Sequence, residues 1–108
     1  MAEVFRDREK AFEAQFGHDQ DLAFRIRARG NKMLGLWVAE ALGIAGGGAE
    51  EYARNLVTVA LEKAGEEGVI RKILTDFQER DVDMTEARLK VKVEKIMTEA
   101  RDSILHDG

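Results

Sequence analysis

Asp21-Leu22-Ala23-Phe24-Arg25-Ile26-Arg27-Ala28-Arg29-Gly30-Asn31-Lys32-Met33-Leu34-Gly35-Leu36-Trp37-Val38-Ala39-Glu40-Ala41-Leu42 is the stretch whose periodicity sets the fold class. Leu22, Ile26, Met33, Leu34, Trp37, Val38, Ala41 and Leu42 recur at three, four and seven, the period of a helix with one buried side. The spacing predicts a helix over about 20–44. Asp19 suits its N-cap, or Gly17-His18-Asp19 is a kink within one longer helix. Gly30 and Gly35 each cost up to about 1 kcal/mol relative to alanine inside a helix, so they imply close approach of another backbone. Gly46-Gly47-Gly48 then ends the element.

Toward the C-terminus a second helix is expected over about 49–63. Tyr52, Leu56, Val59, Ala60 and either Val57 or Leu61 face inward, Glu50, Glu51 and Arg54 outward, and Gly65 stops it at a C′ position. A third, shorter helix follows Glu66-Glu67-Gly68 and carries Val69, Ile70, Ile73, Leu74 and Phe77 at helical spacing. Asp83 with Glu86 has the spacing of a reciprocal cap, with Thr85 as the alternative. The last helix, about 85–105, buries Leu89, Val93, Ile96, Met97, Ala100 and Ile104, leaves Val91 off the stripe and pairs Glu86 with Lys90. No alternating run suggests a strand. The fold class is therefore all-α, a four-helix bundle over 20–108 behind an N-terminal arm over 1–19.

That arm places Phe5, Phe12 and Phe16 at intervals of seven and four among charged residues, one amphipathic stripe in front of the domain. A helix of about sixteen residues is marginal alone in water, so the arm either folds in a partner's groove or packs on its own domain as a first helix. Three aromatic rings are the residue type favoured as interface anchors. Residues 1–19 hold Arg6, Arg8 and Lys10 against Glu3, Asp7, Glu9, Glu13 and Asp19, a balance that anionic lipid repels.

A chain of 108 residues forms one small domain. It contains no cysteine, which excludes disulfides, thiolate catalysis and the common structural zinc frameworks, and no proline, which favours long helices. The net charge of −4 argues against a nucleic-acid partner. No apolar stretch approaches the length of a membrane span, and no secretory leader is read at the N-terminus, so the expected location is cytoplasmic.

No nucleophile beside a base, no metal set and no phosphate cradle is legible, so no catalytic residue, metal or cofactor is expected. His18 and His106 lie far apart in sequence, the first read as an exposed hinge residue and the second as a tail residue favoured near a helix C-terminus. Gly46-Gly47-Gly48 lacks the Gly-Lys-Ser/Thr that holds phosphate and magnesium, and reads as a helix-to-helix turn. Arg25, Arg29 and Lys32 share one helix face, with Arg27 close by; they either hold a phosphate or acidic partner or form a solvated face. Trp37 sits at a core-facing step.

Phe5-Arg6-Asp7-Arg8-Glu9-Lys10-Ala11-Phe12-Glu13-Ala14-Gln15-Phe16, followed by Arg29-Gly30-Asn31-Lys32-Met33-Leu34-Gly35-Leu36-Trp37 and later by Glu67-Gly68-Val69-Ile70-Arg71-Lys72, resembles the zeta subunit of the F1Fo-ATP synthase of alphaproteobacteria, a small ATPase inhibitor. The resemblance implies a four-helix bundle that anchors an inhibitory arm. Phe5, Arg6, Arg8, Phe12 and Phe16 match the family pattern, and the arm is implied to enter a catalytic interface between the α and β subunits of F1 near γ. Such a protein is not an enzyme; it sits in the cytoplasm, peripheral to the inner membrane through F1, without inserting into the bilayer. Gly65-Glu66-Glu67-Gly68 departs from the family, where a loop often contains proline. The alternative function is an adenine-nucleotide-binding helical regulator that holds ATP or ADP weakly on Arg25, Arg29 and Lys32.

Overall fold

A computed structural model describes the backbone of residues 2–107 and the side chains of residues 20–106. Four helices follow one another: α1 (Ala2–Ala41), α2 (Gly47–Ala60), α3 (Gly65–Glu79) and α4 (Glu86–Asp107), and the described residues contain no strand. The all-α, four-helix expectation is met. The helix expected to begin near 20 is instead the second half of α1, which runs through Gly17-His18-Asp19 without a break. Backbone hydrogen bonding continues across the glycine, so the one-longer-helix alternative describes the backbone.

The element ends earlier than the glycine triplet implied. Gly43 at φ +78 donates to the Glu40 carbonyl and Ile44 to the Ala39 carbonyl, the paired bonds of a Schellman stop. The same device closes α3 without a glycine. Asp81 at φ +58 donates to Gln78, and Val82 donates to Phe77 at 2.9 Å. α2 ends at Ala60 rather than near 63, and Gly65 at φ +53 opens α3 rather than acting as a C′ stop. Glu66 and Glu67 therefore lie inside the first turn of α3, which is no shorter than α2. Thr85 is the cap of α4, accepting from the Arg88 N–H at 3.2 Å in preference to the Asp83 arrangement.

The core follows the predicted stripes. Leu34, Val38, Leu56, Ile73, Phe77, Leu89, Val93 and Ile96 are buried in one cluster, with Trp37 half-buried against it. Trp37 meets Phe77 edge to face at 6.2 Å between ring centroids, and the Lys92 ammonium lies 5.2 Å from the Trp37 ring. Ala41, expected to face inward, is exposed, and of the two candidates near the end of α2, Val57 is half-buried and Leu61 exposed. Val91 is 68% exposed, off the stripe as read.

Gly35 is where α1 and α2 come closest. A methyl group added there would lie 2.5 Å from the Ala53 Cα, so the absent side chain is what allows the contact. Gly30 differs from expectation. Its nearest neighbours are the Met97 sulfur and the Ala100 methyl, side chains of α4 rather than backbone.

Candidate partner-binding groove

α2 and α3 are short, and α1 and α4 outrun them. Arg29 Nη1 donates to Ser103 Oγ at 2.7 Å, and Gly30 packs on Met97 and Ala100, so α1 and α4 run antiparallel. Above the ends of the two short helices the seam between α1 and α4 lies open as a groove of about 590 Å³. Leu22, Ile26 and Arg27 form its α1 wall, and Met97, Arg101 and Leu105 its α4 wall. The N-terminus of α3, with Glu66 and Val69, closes its lower end. The groove thus has an apolar floor with two arginines and one glutamate at its edge. Its volume lies within the usual range for ligand sites.

Asn31 is a buried polar residue at the foot of this groove, and its side-chain amide donates to the Arg27 carbonyl at 2.9 Å. That bond satisfies a group that would otherwise be costly to bury. Sequence periodicity did not single out Asn31, Ala39 or Ala53, all buried. The last two were legible in principle, since small residues are what the close pass at Gly35 requires.

Phe5, Arg6, Arg8, Phe12 and Phe16, which the sequence resemblance assigned to an arm, belong to the stretch whose side chains lie outside the described residues, as does His18; the backbone of all six is part of α1. Arg25, Arg29 and Lys32 are exposed and none lines the groove. Arg29 is engaged with Ser103. The cations at the groove are instead Arg27 and Arg101. His106 is exposed in the last turn of α4, where a positive charge is favoured.

A second polar arrangement locks α2 to α3. Tyr52 donates to Asp76 Oδ2 at 2.6 Å, Lys72 pairs with the same oxygen at 3.0 Å, and the Lys72 ammonium lies 5.1 Å from the Tyr52 ring. Burial, then the Asp76 carboxylate that accepts its proton, pushes the Tyr52 phenol well above its ordinary value. Every member of this cluster has a partner, which makes it a clasp. Among the described residues no group of three or more His, Cys, Asp or Glu side chains is placed to hold a metal, and no helix is long and apolar enough to cross a membrane.

The described residues form an all-α bundle of four helices with an open apolar groove between α1 and α4. A family model described as ATPase inhibitor subunit zeta matches residues 1–103, and the chain belongs to that family. A structure solved by NMR in solution is similar to it, at 39% identity and a TM-score of 0.67, over 79% of this chain and 96% of that one. Among curated proteins none matches. Membership makes the chain an ATPase inhibitor subunit by family, a regulatory role, and gives it the ATP synthase as the kind of partner it serves.

Proposed function

We propose that residues 1–19 are the inhibitory arm and residues 20–108 the domain that anchors it. The arm enters a catalytic interface between the α and β subunits of F1 near γ and blocks rotation in the direction of ATP hydrolysis. The observation that carries this reading is the length of α1. The helix begins at Ala2, whereas α4, its antiparallel partner, ends at Asp107, and Leu105 shares a groove with Leu22. Residues before about 20 thus continue α1 past the end of α4, which flanks its upper half among the described residues.

The sequence of that extension carries a second support. Phe5, Phe12 and Phe16 lie eighteen residues before Ala23, Gly30 and Leu34. Eighteen residues are about five helical turns, so the three phenylalanines share the helical register of Ala23, Gly30 and Leu34. Phe5, Phe12 and Phe16 fill apolar pockets in the target, and Arg6 and Arg8 pair with acidic groups there. The protein acts in the cytoplasm, held at the inner membrane only through F1.

ATP hydrolysis by the cognate F1 tests the reading. Deleting residues 2–16 abolishes inhibition while helical circular dichroism of the bundle persists; inhibition by the truncated chain would refute the assignment. Phe12→Ala raises the dissociation constant by the equivalent of more than about 1 kcal/mol, as for an aromatic anchor. The nucleotide alternative, on the face of Arg25, Arg29 and Lys32, would be favoured by an ATP titration that shifts their amides to saturation.

A further inference from the structure

α2 and α3 are shorter than α1 and α4, so the upper part of the bundle lacks one of its layers and the seam between the two long helices stays open. We propose that this groove is a docking surface for one helix of a partner protein, a helix whose apolar stripe is flanked on both sides by acidic residues. Shape is the first support. Val93 and Leu105, at the two ends of the α4 wall, are twelve residues apart and about 18 Å along the helix, room for about three turns of a guest laid along the seam. The lining is aliphatic, with no aromatic ring, and the trough is open to solvent. A surface of that kind suits an occupant with a single apolar side, whereas a small molecule is held by being enclosed.

Charge sets the chemistry of the guest. Arg27 stands on one wall and Arg101 on the other, both exposed, and among the described residues neither guanidinium has an acidic or hydrogen-bonding partner. A helix with Asp or Glu on both flanks of its stripe meets both arginines. A second copy of this chain is a poorer occupant, because seam against seam about a two-fold axis brings four arginines into one interface with a single glutamate, Glu66, from each chain. Asn31 is the third support. It is 4% exposed, its amide donates one N–H to the Arg27 carbonyl, and no side-chain polar atom of the described residues is sealed without a partner. Its Oδ1, which makes no bond of its own, therefore opens on the groove it lines. A buried amide facing an otherwise apolar floor fixes the register of one polar side chain on the guest's inner face, as a single polar position does in a coiled coil. This contact is separate from the arm of the function proposed above and does not depend on it.

Amide chemical shifts of the full chain, titrated with two synthetic helical peptides, test the proposal. Both peptides carry the same leucine stripe, flanked by glutamate in the first and by lysine in the second. The expected result is saturating shifts at Ile26, Asn31, Val69, Met97 and Leu105 with the glutamate peptide, at an affinity at least about tenfold above that of the lysine peptide and falling as salt is raised. Arg27→Glu combined with Arg101→Glu, two changes at exposed positions, reverses the preference between the peptides. Groove amides that stay still with both peptides overturn the proposal, and so does equal affinity for the two. Movement of the same amides when the chain alone is diluted would give the seam to a second copy, and laurate binding there more tightly than the glutamate peptide would give it to a small amphiphile; either result overturns the proposal as well.

Discussion

The two described halves of α1 carry the same kind of apolar periodicity and meet different fates. From Gly30 to Ala41 one side of the helix packs on α2 and α4, with Trp37 against Phe77 of α3, and Leu34, Val38 and Ala39 are wholly buried. From Gln20 to Arg29 no side chain is buried, and Leu22 and Ile26 are half-covered walls of a groove. Amphipathic spacing reports that a helix has an apolar side. Whether that side is closed depends on how long its neighbours are, and here α2 and α3 end first.

Four substitutions break or sharpen this contrast. The largest effect belongs to Leu34→Ala, which opens a cavity in the enclosed half and costs about 2–5 kcal/mol in denaturant unfolding. Ile26→Ala, in the open half, costs about 1 kcal/mol or less, since water already reaches the side chain; equal costs would remove the distinction. Gly35→Ala comes next. The added methyl meets the Ala53 backbone, which cannot turn aside, and overpacking of this kind costs about 1–3 kcal/mol. Gly30→Ala meets only the flexible Met97 side chain and stays near neutral by thermal melting.

Tyr52→Phe removes the bond to Asp76 and costs about 1 kcal/mol at neutral pH. Because the folded phenol is held above its ordinary value, the stabilisation is complete below about pH 10 and is lost as pH rises beyond it, where the unfolded chain ionises first. Melting temperature against pH therefore falls more steeply in the parent than in Tyr52→Phe. The last effect is a gain. Asp81→Gly relieves a positive φ at the end of α3 and stabilises by about 0.5–1 kcal/mol, measured by urea midpoint.

The four-helix class and most of the core were readable because Leu, Ile and Val recur at helical spacing, and the Glu86–Lys90 pair was found as read, at 3.4 Å. Helix ends were less legible. The Gly43 stop was hidden behind the louder Gly46-Gly47-Gly48, and the stop at Asp81 uses a residue that seldom advertises a left-handed backbone. The groove could not be read at all, since it arises from the unequal lengths of separate elements. For the same reason Arg25, Arg29 and Lys32 looked like a set in sequence, while the groove is edged by Arg27 and Arg101, residues seventy-four positions apart. The arm's aromatic stripe was the clearest signal, and family membership gives the chain the inhibitory role by which that stripe was interpreted.

The tight pass of Gly35 over Ala53 also has a mechanical meaning. It is a fulcrum on a stiff rod: the long side, from Gly35 to the position of Phe12, measures about 35 Å, and the short side, from Gly35 to the end of the helix, about 9 Å. A sideways push at the far end is multiplied roughly fourfold where the rod is seated, by the ratio of those two lengths. A load on the long side is therefore concentrated at a glycine, where two backbones touch with no side chain between them to yield.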